Sequence, residues 1–553
     1  MNSCGQCGIR RTPFRFLTKA AYEAVPRMPQ AQSARVNGAM KTAIVIGAGI
    51  AGLSAALALQ QCGIAPLLVD QDAAPPAPDT DPAAWPRHGA PQVRQPHFFM
   101  GRLLRLLKTR HPRLIDALLA AGVWEIPFSS TIHPAVRGRY KAAPGDAELT
   151  ALVARRTTFE LVLQQYVRDA GIAILSNTKA ISLLFAPSMH GVSVRGVRVM
   201  DTEASAASNN VRVRRDGMTD DLSRELFADV VIDASGRRGN FAAQLRAAGA
   251  QIDDEQHDSR VIYFTRHYRF LEGVARPAMD GVIGVEFPDY TVGALAADNG
   301  YFTVTIAPPS DDEEMKRTLR HVESFERICH GVAPIAAWMN SAVAAPVSDV
   351  YAFGAMDCFW RRTIAAGVPQ VLGLHFIGDT VVRTNPKYGR GCTWSCEQAH
   401  ALSDLLATSP TPEQTALQYD KWLTERFRAD WETTLTLDRA ARARYERFVQ
   451  GAAPRGGSQT GATSLREESR GVLRWGRRLR GALADAFEEY GVKTALLVDP
   501  VVLRAIMTGY HGFARMDGWT RRPGIWLRIL WAWATQVRWR AVLTPYRTKP
   551  ARG

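Results

Sequence analysis

The sequence predicts an α/β fold: a parallel sheet with crossover helices, an inserted mixed β-sheet, and a helical C-terminal extension. Three observations predict it. A glycine-rich turn joins two short apolar runs near residue 47. Two further glycine-bearing strand ends follow far along the chain, on either side of a long strand-rich stretch. After Thr411 the sequence becomes helical and charged. With 553 residues and 46% hydrophobic content, the chain can bury the core that two or more domains need.

Residues 42–46 form an apolar run that reads as a buried strand. Gly47-Ala48-Gly49-Ile50-Ala51-Gly52 follows, and residues 53–61 have helical Ala/Leu content. A second run, residues 65–69, ends in Asp70. Gly47 allows the tight turn, Gly49 lets a pyrophosphate approach the backbone, and Gly52 lets helix and strand pack closely. The helix start offers free N–H groups to phosphate, and Asp70 can accept hydrogen bonds from a ribose diol. This unit is Rossmann-like and points to a dinucleotide without choosing which.

A Pro/Ala/Asp-rich loop spans 73–86. Leucines at helical spacing over 101–121 are broken by Pro112. Residues 157–170 read as helix, and 172–175, 192–199, 211–214 and 225–232 as strands, with a polar hairpin loop at 202–210. Between 261 and 346 strand-like runs mix with a helix over 313–329. Residues 372–377 read as a buried strand and 394–406 as a helix. Helix continues to about 449, a Gly/Ser/Thr-rich linker covers 451–464, and the remainder is helical with a Trp/Arg-rich tail.

Two distant segments choose the dinucleotide. The first runs from Ala228 through Asp233, Ala234, Ser235 and Gly236 to Arg237. The second is Gly378-Asp379, then Asn385-Pro386-Lys387-Tyr388-Gly389-Arg390-Gly391. Together with the first turn, these motifs resemble the single-component FAD-dependent aromatic hydroxylases and epoxidases, over about 340 residues. The resemblance implies FAD as cofactor and NAD(P)H as a transient reductant, since a second glycine motif for a separate NADPH domain is absent from the sequence. It implies that Asp379 contacts the flavin's ribityl chain and that the Pro386, Gly389 and Gly391 loop lies at the isoalloxazine ring. Arg87-His88-Gly89-Ala90-Pro91-Gln92 looks like an element of a bacterial subgroup that includes polyketide epoxidases. That subgroup carries His soon after its Pro-Gln; here Arg94, Gln95, Pro96 and His97 stand there. Arg156 matches an Arg that reaches the cofactor in the family.

The resulting cofactor candidates are Gly47, Gly49, Gly52, Asp70, Arg87, Arg156, Asp233, Gly236, Gly378, Asp379, Pro386, Gly389 and Gly391. His97, Arg266, Tyr268 and Arg362 are the substrate-side candidates, with an apolar inner face expected on the substrate sheet. The implied activity is insertion of one oxygen atom, by hydroxylation or epoxidation, into an apolar or aromatic small molecule. A flavin-dependent reductase or cyclase acting on a polyprenyl-type substrate is the alternative. Flavin halogenases share the expected fold but carry a Trp-x-Trp-x-Ile-Pro element; here Trp531-Ala532-Trp533 precedes Ala534.

The expected organisation is a disordered extension or mis-assigned start over 1–39, an FAD-binding domain over 40–260 and 372–410, a substrate sheet domain over 261–371, and a helical region over 411–553. The formal charge is +15, but residues before Met40 carry a net +5 and those from His511 onward a net +8, leaving +2 between them. The nearly neutral body argues against a nucleic-acid partner. Seven sparsely spaced cysteines suit a reducing cytosol rather than a disulfide framework. A lone pair at Cys4 and Cys7 gives no metal site, and Cys392 and Cys396 read as core packing. In the tail, Trp526, Leu530, Trp533 and Val537 share a helical face with Arg528, Arg538 and Arg540 elsewhere, which suits peripheral membrane contact; a helix docked on the body is the other reading.

Overall fold

The computed structural model describes residues 35–36, 39–76, 81–138, 140–188, 191–202, 223–277, 282–287, 289–452 and 491–536. Nearly all of the 1–39 extension with Cys4 and Cys7, the strand at 211–214, most of the 202–210 loop, most of the 451–464 linker, and Val537, Arg538 and Arg540 lie outside them.

Five strands form an all-parallel sheet, in spatial order Leu374–Phe376, Val230–Asp233, Thr42–Ile46, Ala65–Val69 and Ala173–Leu175. Continuous apolar runs form the centre because both faces are covered; Val230–Asp233 is buried at every position. The chain builds outward from Thr42–Ile46 in one direction and later returns on its other side. The resulting switch point lies between Thr42–Ile46 and Val230–Asp233, where a crevice opens beyond the carboxyl ends. Helix Ile50–Gln61 packs on this sheet and helix Gly391–Thr408 packs on that helix. Ser54 Oγ and Cys396 Sγ meet at 3.2 Å in their buried seam.

The second large sheet has six strands: Val282–Glu286, Thr291–Ala296, Tyr301–Ala307 and Tyr263–Phe270 in that order, with Ala344–Pro346 and Tyr351–Phe353 both pairing to the last. Its pairs are antiparallel. Period-2 alternation splits its residues between two faces. Phe264, Tyr268, Phe270, Phe302, Val304 and Ile306 turn toward helices Glu313–Thr318, Val322–His330 and Ala333–Met339 in a second core. Phe302 stacks on Phe270 at 4.6 Å and meets Trp338 edge-on at 5.4 Å.

Several boundaries differ from the sequence expectation for identifiable reasons. The strand expected over 372–377 breaks at Gly373, where φ is +73° and a Cβ would lie 2.2 Å from Val194 O. Val371–Leu372 therefore pairs with Val192 and Ser193, and Leu374–Phe376 joins the parallel sheet. The 225–232 run likewise divides into Ser223–Phe227 and Val230–Asp233, in different sheets. Strand Asp357–Arg362 leaves the six-stranded sheet and pairs with Asp253–Asp258 and Val382–Arg383. Helix Pro412–Ala452 runs unbroken through Gly451.

The C-terminal helices Lys493–Val498, Pro500–Tyr510 and Pro523–Thr535 pack together through Ala495, Val502, Ala505, Ile525, Ile529 and Ala532. The docking face of the last helix is thus Ile525, Ile529 and Ala532, while Trp526 and Leu530 lie toward solvent.

Candidate functional site

The crevice at the switch point opens into a cavity of about 920 Å³ between the parallel sheet, the six-stranded sheet and the C-terminal helices. Gly47 ends the first strand at φ +99°, and a Cβ there would lie 2.7 Å from Ala234 O. Gly52 is tighter: its Cβ would stand 1.8 Å from Gly47 O. Gly49 is the opposite case. A Cβ there would find no protein atom within 4 Å, because this position faces the cavity. Gly49 caps helix Ile50–Gln61 without a side-chain hydrogen bond, so the first-turn N–H groups are left for a ligand.

A second helix N-terminus reaches the same cavity. Gly389 takes φ +63°, Gly391 begins helix Gly391–Thr408, and Pro386, Gly389, Gly391 and Asp379 line the wall. This helix also has no side-chain cap. Gly378 does not line the cavity; its hydrogen sits between the helices, where a Cβ would be 3.0 Å from Ala51 Cβ and 3.1 Å from Ser395 Oγ.

Behind Asp70 runs a chain of buried charges. Arg87 Nη1 donates to Asp70 Oδ2 at 2.9 Å, its Nη2 donates to Ala48 O at 3.0 Å, and its Nε donates to Glu160 Oε2 at 3.1 Å. Arg156 Nε donates to the other oxygen, Glu160 Oε1, at 2.6 Å. Burial opposes the charge on Glu160, yet Arg156 and Arg87 hold its carboxyl below the ordinary carboxylate range. Asp72, two residues after Asp70, accepts from Gly89 N at 2.9 Å and fixes the Arg87 loop.

His97 lines the cavity beside this chain. Its Nδ1 lies 2.8 Å from the Gln95 carbonyl, so Nδ1 carries the proton and donates. The Nε2 lone pair then accepts from Arg156 Nη1 at 3.3 Å. Burial, reinforced by Arg156, pushes His97 down to about 3. It is a neutral, oriented ring rather than a proton donor at neutral pH.

Five further expectations need correction. Arg266 and Tyr268 point away from the cavity, on the helix-covered face: Arg266 Nη1 donates to Glu326 at 2.5 Å and Tyr268 is buried against Phe302. Arg362 lies on the separate strand Asp357–Arg362 and pairs with Asp420 at 3.0 Å. Asp233 is buried and accepts from Ser235 N and Oγ, so Ala234, Ser235, Gly236 and Arg237 reach the cavity in its place. The six-stranded sheet meets the cavity with mostly small side chains, Gly284, Thr291, Gly293, Thr303, Thr305 and Ala307, beside the larger Tyr263 and Leu295, so the face is mixed rather than wholly apolar.

Four contributors are not marked by the sequence pattern. Tyr263 lines the cavity and donates to Asn385 Oδ1 at 2.8 Å. Period-2 alternation marks it only once the facing side of the strand is known. Cys392 reaches the cavity wall and takes a contact from Arg156 Nη1 at 3.4 Å, in contrast to the core-packed Cys396. Met507 and Tyr510 bring the C-terminal region into the wall. Arg390 anchors them by donating to Gly509 O at 2.9 Å, a cation at the end of helix Pro500–Tyr510.

The glycines make separable predictions. Gly52→Ala should lower stability by about 3 kcal/mol or more, because its Cβ meets backbone. Gly49→Leu should keep the unfolding midpoint within about 1 kcal/mol of the parent and abolish dinucleotide binding; chemical unfolding and ligand titration of both variants check this.

Stability should also fall as pH drops below about 6.5. His97 and His111 are held at about 3, and His375 and His511 at about 4, each chiefly by burial. The unfolded chain takes up protons that the folded state refuses, so the stability present at neutral pH is lost on acidification from about 6.5 toward 4. His97→Asn, which retains a donor for the Gln95 carbonyl, should flatten that slope by up to about 1.4 kcal/mol per pH unit. Unfolding midpoints between pH 7 and pH 5 measure it.

No family model matches the sequence. Protein Rv3254 of Mycobacterium tuberculosis (strain ATCC 25618 / H37Rv) is 26% identical over 394 residues, 67% of this chain and 74% of its own. Among solved structures, CmlS, a flavin-dependent halogenase, aligns at TM-score 0.50 and 15% identity, over 82% of this chain and 78% of its own. CndH, a myxobacterial chondrochloren halogenase of the FAD-dependent kind, aligns at TM-score 0.50 and 14% identity, over 80% and 90%. The chain has the fold these flavin-dependent proteins share.

Proposed function

We propose that this chain is an FAD-dependent, NAD(P)H-driven monooxygenase that inserts one oxygen atom into an apolar or aromatic substrate. The observation that carries the reading is the convergence of two uncapped helix N-termini on one cavity whose opposite wall is a sheet face of mostly small residues. The residues fit FAD. The open space at Gly49 and the N–H groups of helix Ile50–Gln61 would take the pyrophosphate, and Asp70, with one oxygen occupied by Arg87, would take the ribose. Asp379 and the turn from Pro386 to Gly391 would hold the ribityl and ring end, where the second helix N-terminus favours negative charge on the reduced ring.

When bound, FAD supplies the redox and oxygen-activating chemistry. This chain's residues position the substrate, exclude water and fix charge. The glycines and threonines of the sheet face leave room for a broad substrate. Tyr263, Met507 and Tyr510 close the cavity toward the C-terminal region. His97 is neutral and tied to Gln95 and Arg156, so it orients rather than transfers protons. The Arg87–Gln92 element, which carries the resemblance to polyketide epoxidases, builds the wall around Asp70 and supports the finer reading of epoxidation. A second reading, halogenation, follows from the named neighbours. Against it, Trp531 and Trp533 sit on the C-terminal helix, outside the cavity lining.

The test is NAD(P)H oxidation and oxygen uptake by the FAD-loaded protein with a panel of aromatic and polyene substrates, with and without chloride or bromide. Substrate-dependent consumption of both in equal amounts, with an oxygenated product, is expected. NAD(P)H oxidation without oxygen uptake would mean a reductase. Turnover with neither would mean a cyclase, and a halogenated product would replace oxygenation.

A further inference from the structure

Helix Pro523–Thr535 is apolar nearly all round, with Arg528 as its one ionisable residue. A helix of that kind needs cover on every side. The protein covers one side: Ile525, Ile529 and Ala532 are buried against helices Lys493–Val498 and Pro500–Tyr510. The opposite side is exposed. Leu527 is 68% exposed, Trp531 55% and Leu530 45%, and their spacing of three and four residues puts them on one face. Arg528 leaves this face to pair with Asp499 at 2.8 Å.

The sequence that follows Asp517 is strongly basic. From Gly518 to the end of the chain the sequence holds Arg521, Arg522, Arg528, Arg538, Arg540, Arg547, Lys549 and Arg552, and no Asp or Glu. The body between Met40 and Tyr510 is nearly neutral, so this excess is local. Leucine and tryptophan on an exposed face, in a segment rich in arginine, fit an anionic lipid surface: the apolar side chains enter the acyl boundary, the indoles lie at headgroup level, and the arginines meet phosphate. A second copy of this chain fits worse, because a symmetric contact would bring two strongly basic segments together. Among the described residues no helix is long and apolar enough to cross a membrane.

We propose that the exposed face of helix Pro523–Thr535 docks this protein on anionic membrane surfaces. The docked helix packs on helix Pro500–Tyr510, whose Met507 and Tyr510 wall the cavity. Lipid and cavity would then be separated by that one helix layer.

The test is co-sedimentation of the full chain with vesicles of phosphatidylcholine alone and of phosphatidylcholine with an equal part of phosphatidylglycerol. Binding to the anionic vesicles should be at least tenfold stronger than to the neutral ones and should weaken at high salt. The double variant Leu527→Glu, Trp531→Glu, both at exposed positions, should keep the parent's unfolding midpoint and lose at least tenfold in vesicle affinity. Absence of binding to anionic vesicles would overturn the proposal. So would binding that survives the double substitution, which would assign it to the basic tail alone. A parent dimer that the same substitutions dissociate would show that a second copy covers this face.

Discussion

The structure depends on two helices that begin side by side at the same cavity with their first N–H groups unsatisfied. An α-helix start leaves up to four backbone donors without partners, and neither Gly49 nor Arg390 supplies a side-chain cap. Holding two such starts together is unfavourable unless something negative lies between them. The closeness of the helices is itself built in, since Gly378 takes a positive φ between Ala51 and Ser395, where a Cβ would be crowded at 3.0 Å, and Gly52 lies against the turn at Gly47. The glycines thus divide into two kinds: Gly47, Gly52 and Gly378 bring protein against protein, while Gly49 leaves space for something else.

Around this arrangement the buried charges form a chain rather than isolated pairs. Glu160 binds Arg87 through one oxygen and Arg156 through the other, and these arginines reach Asp70 and His97 in turn. A buried carboxylate between two guanidiniums keeps both in fixed geometry; removing it would leave Arg156 without its carboxylate partner, while Arg87 would keep Asp70 and Asp72. The same chain joins the end of the second parallel strand to the far side of the cavity, so the two ends of a long ligand would be registered against each other.

The glycine turn, Asp70 and the strand-ending motifs were legible because they are local: each needs one residue type at one backbone position. The paired sheets were partly legible, and Gly373 shows the limit, because a run that reads as one strand is divided by a contact with Val194 O that local sequence does not reveal. Face assignment in the six-stranded sheet was not legible. Tyr263–Phe270 alternates, but which half meets the helices depends on partners more than 30 residues away, and so Arg266 and Tyr268 were placed on the wrong side. The contributions of Met507 and Tyr510 were also hidden, since they arise from docking a helix more than 100 residues beyond the last glycine motif.

Comparing FAD with FMN tests most directly whether both helix N-termini serve one extended ligand. FAD should bind at one per chain and FMN at least 100-fold more weakly in a fluorescence titration, because FMN cannot reach from Gly391 to the ribose site at Asp70. Equal affinity for FMN and FAD, or no binding of either by folded protein, would contradict it.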